Sequence, residues 1–249
     1  MTTAIVSAMH EELAAVLALM PDEHKQVIAG REFWQGHLEE REVVVVLSRV
    51  GKVAAATTAT VLLERLGVQR IVFTGVAGGL GEGVKVGDVV LAESFLQHDL
   101  DASPIFPKYE VPLYGRSRFD TDGALSALLA QAAAQVLADP QAALGADAVA
   151  EFALRSPRPH RGLVLSGDRF VATTSESAAL RQALPDALAV EMEGAAIAQV
   201  CHDYGVPFAA VRTISDRADD AAHVDFPRFI RAVASGYSAA ITSRLLRLL

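Results

Sequence analysis

Short apolar runs alternate with stretches of helical periodicity along the sequence, and this alternation limits the possible folds more than any other property. The segments 4–6, 70–75 and 208–214 are β-prone runs suited to buried strands. Between them, residues 53–66 are rich in alanine and end at Gly67, a residue type that often closes a helix. Strands that alternate with helices are typical of a sheet covered on both faces. We therefore predict an α/β fold, a three-layer αβα sandwich.

Three strand-like runs follow one another closely near the N-terminus. They are separated only by Gly30 and by Glu39-Glu40, a spacing typical of antiparallel neighbours, so the central sheet should be mixed and twisted. These runs are 26–28, 32–37 and 42–48; further strands are predicted at 85–95, 162–166 and 187–190, and helices at 11–20, 124–137, 175–184, 194–204 and 226–246. No repeat, low-complexity linker or composition shift divides the chain, which predicts a single domain over residues 1–249.

Two stretches lack a clear period. Residues 97–119 hold three prolines among aromatic residues, and apolar loop residues of this kind indicate a lid or a subunit contact. Residues 139–160 are rich in alanine and end in a tail of proline and arginine, a pattern that suggests a variable insertion.

Charge and cysteine content argue against several classes of protein. The 249 residues include 22 Lys and Arg against 30 Asp and Glu, a formal net charge of -8, whereas nucleic-acid binding needs a basic surface. The single cysteine, Cys201, makes no internal disulfide, and Cys201-His202 lacks the second ligand pair of a zinc site. The first residues lack a signal-peptide pattern, and no run approaches the ~20 apolar residues of a membrane span. We expect a cytoplasmic protein without a nucleic-acid or membrane partner.

Unusual residues stand where several predicted strands end, the edge at which open α/β sheets bind ligands. Glu12 follows the first strand, where its carboxylate either complements the helix dipole or activates a water. The segment TGVAGGL at 74–80, with Ala77 and Gly78, lacks the spacing of a dinucleotide fingerprint. Its glycines indicate either a tight turn with positive φ or a close approach of the backbone to a ligand.

The segment VEMEG at 190–194 places Glu191 and Glu193 on either side of Met192. The two carboxylates lie on one side if the segment is extended and diverge if it is helical. A carboxylate among apolar neighbours needs a partner, and a sugar diol can supply it with two hydrogen bonds.

Two further strand ends carry polar or aromatic residues. In VRTISD at 211–216, burial of Arg212 would demand a carboxylate or a ligand. The following Ser215 and Asp216 either cap a helix or belong to a site. After the strand at 162–166, Phe170 either packs in the core or offers a face for stacking.

Taken together and in this order, the motifs resemble those of the 5′-methylthioadenosine/S-adenosylhomocysteine nucleosidases, within the nucleoside phosphorylase superfamily. The matching segments are AMHEE (8–12), VGKVAAA (50–56), TGVAGGL (74–80), KVGDVV (85–90), SGDRF (166–170), VEMEGAAIA (190–198) and VRTISDRAD (211–219). Residues 100–119 and 139–160 match less well. The resemblance implies a nucleoside phosphorylase-like fold, a homodimer, and hydrolysis of an N-glycosidic bond to adenine and a 5-thioribose without a metal or cofactor.

The resemblance also implies roles for individual residues. Glu12 corresponds to the acid/base that activates the attacking water, and Arg212 to the group that orients Glu12 or that water. Asp216 corresponds to the acid at N7 of the leaving adenine. Glu193, assisted by Met192, corresponds to the ligand of the ribose hydroxyls.

The remaining implied contacts surround the base and the 5′ group. Phe170 would stack on adenine and the main chain of Val171 would read its edge, with Ala77, Gly78 and Ser215 completing the set. The 5′-alkylthio pocket would be lined by Met9, Val50 and Phe226 and closed by Ile105, Phe106 or Pro112 from the 104–114 loop of a second copy.

Val76 departs from the family pattern, because many members carry serine there, near the catalytic water. One neutral hydrogen bond is worth about 0.5–1.5 kcal/mol, so its loss would slow the reaction at most several-fold.

Three alternatives stay open. A nucleoside phosphorylase needs a phosphate site, which Glu11-Glu12 would repel and for which Val76 has no hydroxyl. A purine nucleosidase of the aminofutalosine type would use the same residues, since the 5′ pocket alone decides that specificity. A non-catalytic nucleoside-binding domain has no need of the charged set that is present, namely Glu12, Glu193, Arg212 and Asp216.

Overall fold

The computed structural model of the protein describes residues 1–219 and 226–249. Its strands are β1 (Thr3–Ser7), β2 (His24–Ile28), β3 (Arg31–Leu38), β4 (Arg41–Leu47), β5 (Arg70–Gly79), β6 (Val89–Gln97), β7 (Arg118–Asp120), β8 (Pro159–Ser166), β9 (Ala187–Glu191) and β10 (Phe208–Asp216). Its helices are α1 (His10–Leu17), α2 (Lys52–Leu66), α3 (Gly123–Leu137), α4 (Pro140–Leu144), α5 (Ala146–Glu151), α6 (Thr174–Ala183), α7 (Gly194–Tyr204), α8 (Phe226–Phe229) and α9 (Ser235–Leu248). The predicted alternation of strands and helices is confirmed.

The described strands form one mixed sheet of ten strands in the order β10-β6-β8-β9-β5-β1-β4-β3-β2, with β7 beside β6. β1 lies parallel between β4 and β5, whereas β2, β3 and β4 form an antiparallel meander, as their close spacing predicted. β10 pairs parallel with β5 and antiparallel with β6. The sheet therefore curls and partly closes on itself, which brings the ends of β5, β9 and β10 together.

Successive residues of β1 point to opposite faces of the sheet, as strand geometry requires. Ala4 and Val6 belong to an apolar cluster with residues of α2 and α7. Ile5 belongs to a second cluster with residues of α1, α3 and α9. Each cluster joins one helical layer to one face of the sheet, and the predicted αβα sandwich is confirmed.

Two predicted elements differ in detail. The strand expected from residue 85 begins at Val89, because the preceding residues form a turn in which the amide N of Lys85 donates to Asp88 Oδ2 over 3.0 Å. The helix expected over 226–246 is divided by a π-helical segment, Ile230–Ala234, between α8 and α9. The stretch 139–160, which lacked a clear pattern, contains the two short helices α4 and α5.

The irregular segment between β6 and β7 presents apolar side chains at the surface. Ile105 is 82% exposed and Leu113 is 91% exposed. In the part of the chain that the structure describes, no helix has the length and apolar character needed to cross a bilayer.

Candidate active site

A pocket of about 270 Å³ opens where β1, β5, β9 and β10 end. The ten residues predicted to bind substrate all lie on its wall: Met9, Val50, Ala77, Gly78, Phe170, Val171, Met192, Glu193, Ser215 and Phe226. Asp216 lies on the wall as well. Glu12 and Arg212 are fully buried behind it. The curled sheet thus brings together the strand ends that carry the predicted site residues.

Glu12 stands in the first turn of α1 with its carboxyl group fully buried. Ser238 Oγ donates a hydrogen bond to Oε1 over 3.3 Å, while Oε2 has no partner among the described residues. Burial raises the pKa of Glu12 from 4.5 to about 7, although the positive charge of Arg212 opposes the rise. A carboxyl group whose pKa lies near neutrality is suited to accept a proton from water.

Arg212 lies on β10 and donates a hydrogen bond to the carboxylate of Glu191. Nη2 donates to Glu191 Oε2 over 2.7 Å, and the guanidinium sits 3.5 Å from the centre of the Phe73 ring. Nε and Nη1 have no hydrogen-bond partner within the described ranges. The predicted need for a carboxylate is confirmed. No hydrogen bond joins Arg212 to Glu12 there, so its effect on Glu12 is electrostatic.

Glu191 connects Arg212 to the start of α7, and no role was predicted for it. Its carboxylate accepts hydrogen bonds from the amide N of Gly194 at 2.9 Å and from Ser166 Oγ. Ser166 Oγ in turn accepts from the amide N of Ala195 at 2.8 Å. A carboxylate at this position satisfies free N–H groups and complements the helix dipole. The sequence showed a carboxylate at a strand end, but it did not show that this carboxylate pairs with an arginine 21 residues away.

Glu193 diverges from Glu191 and turns toward the start of α2. Its Oε1 accepts a hydrogen bond from the amide N of Gly51 over 2.8 Å. Burial, followed by the negative charge of Glu191, raises the pKa of Glu193. A carboxylate accepts several hydrogen bonds, so the bond from Gly51 leaves capacity for ligand hydroxyls. Gly51 was not predicted as a site residue, although it neighbours Val50 in the VGK motif.

Asp216 ends β10 and has both carboxyl oxygens fixed. Ser215 Oγ donates to Oδ2 and the amide N of Ala218 donates to Oδ1, each over 2.7 Å. Burial raises the pKa of Asp216 and outweighs the effect of these two hydrogen bonds. The group is therefore an oriented carboxyl that holds a proton more readily than an exposed aspartate.

Gly75 and Gly78 are needed because catalytic side chains approach the backbone closely. A Cβ on Gly75 would lie 2.5 Å from Arg212 Nη1 and 3.7 Å from Glu12 Oε2. A Cβ on Gly78 would lie 3.0 Å from Asp216 Oδ1. The segment continues β5, and neither glycine has a positive φ. The tight-turn explanation is therefore wrong, and the close approach is to neighbouring side chains of the site.

The opposite part of the pocket is apolar. Phe170 is 46% exposed, and its ring packs edge-on against Phe226 with centroids 6.0 Å apart. The alternative of a core Phe170 is therefore wrong. Val76 also lines the pocket, and its side chain offers no hydrogen bond there. A flat aromatic face beside fixed polar groups suits a heteroaromatic base.

Charged residues outside the predicted set tie the Phe170 loop to α2. Lys52 Nζ bonds Asp99 Oδ1 and lies 3.7 Å from Asp168 Oδ2. The amide N of Lys52 donates to Asp168 Oδ1 over 2.7 Å, and the amide N of Asp168 donates to Asp99 Oδ2 over 2.8 Å. These bonds fix Gly51 and Phe170 relative to each other.

Comparison with protein families places the chain in a known superfamily. The model of the phosphorylase superfamily matches residues 2–247. The 5′-methylthioadenosine/S-adenosylhomocysteine nucleosidase of Shewanella baltica strain OS185 is 35% identical over 246 residues, which cover 99% of this chain and 96% of the relative. The protein of the same name from Shewanella putrefaciens strain CN-32 is 35% identical and is covered over 98% of its length.

Solved structures show the same similarity. The 5′-methylthioadenosine/S-adenosylhomocysteine nucleosidase from Neisseria meningitidis, in complex with methylthio-immucillin-A, has a TM-score of 0.87 and 32% identity, and the match covers 100% of this chain and 99% of that one. The futalosine hydrolase of Helicobacter pylori strain 26695 has a TM-score of 0.86 and 30% identity, with coverage of 100% and 98%.

Proposed function

Because the chain belongs to the phosphorylase superfamily, and within it to the 5′-methylthioadenosine/S-adenosylhomocysteine nucleosidases, we infer that it is an N-glycosidic-bond hydrolase. We propose that it converts 5′-methylthioadenosine and S-adenosylhomocysteine to adenine and the corresponding 5-thioribose. The observation that carries this proposal is a pair of buried carboxyl groups with raised pKa values, Asp216 on the wall of the pocket and Glu12 behind it. Glycoside hydrolysis uses such a pair as base and acid.

Asp216 acts on the leaving adenine. Breaking the C–N bond puts negative charge on the purine, and an acid at N7 neutralises it. Burial raises the pKa of Asp216, which favours the protonated form that the reaction needs. Ser215 and Ala218 hold the carboxyl in one orientation. Phe170 stacks on the base, and the main chain of Val171, which also lies on the pocket wall, reads the edge of the base.

Glu12 and Glu193 act on the sugar. Glu193, held by the Gly51 amide, accepts hydrogen bonds from the ribose hydroxyls beside Met192. Glu12 takes a proton from the water that attacks the anomeric carbon, through Oε2, which has no partner among the described residues. Arg212 Nη1 and Glu12 Oε2 lie on the same side of Gly75. There the charge of Arg212 stabilises the Glu12 anion and orients the water.

The charges around the pocket favour water over phosphate as the nucleophile. Glu12 and Glu193 would repel a phosphate dianion. Arg212 is already paired with Glu191, and Arg169, which lies on the pocket wall, is paired with a glutamate of α6. A phosphate site requires unpaired arginine and amide donors. These contacts support hydrolysis rather than phosphorolysis.

The 5′ end of the pocket supports a homodimer. Met9, Val50 and Phe226 form an apolar end for the 5′-alkylthio group, and Val50 is 60% exposed. We propose that the 104–114 loop of a second copy, in which Ile105 is largely exposed, covers this end. Light scattering at micromolar concentration should give the mass of a dimer, and a monomer would contradict this part of the proposal.

The cellular role follows from the reaction. We propose that residues 1–249 form a single nucleosidase domain that works in the cytoplasm. There it removes the two thioether nucleosides, and the thioribose of methylthioadenosine returns to methionine salvage.

The decisive assay measures free adenine. The purified protein is incubated with methylthioadenosine, S-adenosylhomocysteine, adenosine and aminofutalosine, each with and without phosphate. We expect adenine from the two thioethers without phosphate. Release that requires phosphate would identify a phosphorylase, and release from aminofutalosine alone would identify the alternative nucleosidase. No release from any of the four would overturn the proposal.

A further inference from the structure

A second groove, of about 800 Å³, continues the nucleoside pocket at its 5′ end. The two share Ala8, Met9 and Val50. The rest of the groove is formed by the first turn of α1, the turn between β2 and β3, and the end of β4. Since Met9 and Val50 surround the 5′ group in the proposed function, a long substituent on the 5′ sulfur leaves the pocket along this groove.

Two arginines, Arg31 and Arg49, line the groove. Arg31 Nε donates to Thr58 Oγ1 over 2.8 Å, and its Nη2 donates to the Ala54 carbonyl over 3.3 Å. Arg49 Nη2 donates to the Gly30 carbonyl. All these partners are uncharged, and within residues 1–219 and 226–249 neither arginine forms a salt bridge with a carboxylate.

The two guanidinium groups are close enough to affect each other. Burial lowers the pKa of Arg31, and the positive charge of Arg49 lowers it further. Adjacent like charges repel, so an anion that bound between them would relieve the repulsion. Arginine presents a fork of N–H donors that matches the two oxygens of a carboxylate.

The groove also carries negative charge. Glu11 lies on its α1 wall and forms no salt bridge in the described part of the chain. A second glutamate of the groove, Glu32, is paired with Lys25 over 2.8 Å. The groove therefore presents two arginines and the carboxylate of Glu11 outside any described salt bridge. A zwitterionic amino acid can pair with both kinds of charge, whereas a methyl group has no charge to pair with either.

We propose that this groove binds the amino-acid tail of S-adenosylhomocysteine, with Arg49 and Arg31 on the α-carboxylate and Glu11 on the α-ammonium. The proposal rests on the proposed function, because the nucleoside orientation sets the direction of the tail. It makes these residues determinants of specificity between the two thioether substrates. Methylthioadenosine, which lacks the tail, gains nothing from them.

The test compares kcat/KM for the two substrates in the wild type, Arg49→Ala and Arg41→Ala. Arg41 is the matched control, since it is exposed at the first residue of β4, whereas Arg49 lies beyond the last residue, and since it is not part of the groove. Because the charged contact is solvent-exposed, Arg49→Ala should lower kcat/KM for S-adenosylhomocysteine about 5- to 10-fold. Its kcat/KM for methylthioadenosine should stay within about twofold, and Arg41→Ala should change neither.

A substrate lacking the carboxylate completes the test. The wild type should process 5′-deoxy-5′-(3-aminopropylthio)adenosine with a kcat/KM at least as low as that of Arg49→Ala for S-adenosylhomocysteine, because this analogue loses the contacts of both arginines. Arg49→Ala should favour S-adenosylhomocysteine over that analogue by a smaller factor than the wild type does, because only Arg31 is left to contact the carboxylate. Equal losses on both thioethers in Arg49→Ala, or no loss on S-adenosylhomocysteine, would overturn the groove assignment. Failure of the wild type to cleave methylthioadenosine would instead contradict the proposed function, so the two failures are distinguishable.

Discussion

Replacement of Glu12 by glutamine should remove most of the activity and, at alkaline pH, stabilise the protein. The glutamate carboxyl is fully buried; Ser238 donates a hydrogen bond to one oxygen, and the other has no partner in residues 1–219 and 226–249. Its anion is the form required to accept a proton, and burial makes that form unfavourable. Glutamine has nearly the same shape and is neutral at every pH, so it keeps the packing and removes the cost of the buried charge. Loss of a general base lowers kcat by about 10²–10⁴-fold.

The size of the stability effect follows from the pKa of Glu12. The pKa is 4.5 in an unstructured chain and about 7 in the folded protein. At ~1.4 kcal/mol per unit, this rise corresponds to about 3.5 kcal/mol. Because the folded-state pKa is the higher one, this stability is fully present below pH 4.5 and is lost as the pH rises through 7. Glutamine has no such loss.

Urea unfolding of both proteins at about pH 5 and pH 8, at one protein concentration, measures the effect. The free energy of unfolding of Glu12→Gln relative to wild type should increase by about 2.5 kcal/mol between these two pH values. Glu11→Gln, a change in the adjacent and partly exposed residue, is the control and should show no such increase. A difference between Glu12→Gln and wild type that is the same at both pH values would refute the reasoning.

Three further substitutions test other parts of the site. Asp216→Asn should lower kcat about 10²–10⁴-fold, because the acid at the purine is lost; a near-normal steady-state kcat would contradict its role. Val76→Ser should raise kcat up to several-fold, since one added hydrogen bond to the water is worth about 0.5–1.5 kcal/mol; unchanged turnover would show that the hydroxyl does not reach the water. Gly78→Ala should lower kcat/KM about 10- to 100-fold, because its Cβ would lie 3.0 Å from Asp216 Oδ1 and displace the acid. Gly123→Ala, whose Cβ would meet nothing within 4 Å, should leave kcat/KM unchanged.

The order of the elements was predictable because local pattern decides it. The composition of residues 53–66 alone predicted a helix, and Gly67 ends α2 in the left-handed conformation that glycine favours. The ends of β5, β9 and β10 were predicted to carry the site, since strand ends are where such sheets bind ligands. The strand predicted over 85–95 begins only at Val89, because the Asp88 side chain closes the turn that precedes it.

The features of the site that the sequence did not predict depend on contacts between residues distant in sequence. The glycines of 74–80 were expected in a tight turn or close to a ligand, yet Gly75 and Gly78 lie in a strand and make room for side chains of β10. The pairing of Arg212 with Glu191 required the folded sheet, because a single strand shows that a charge is buried but not what neutralises it. The amide of Gly51 reaches Glu193 from 142 residues away, and no local pattern predicts that contact.

The fate of the ribosyl carbon tests the central claim most directly. Methylthioadenosine is converted in water labelled with heavy oxygen, with phosphate present in excess, and the sugar product is examined by mass spectrometry and phosphorus NMR. Attack by a water that Glu12 activates predicts free methylthioribose carrying one labelled oxygen at its anomeric carbon. A methylthioribose 1-phosphate without label would contradict the account, because phosphate would then be the nucleophile.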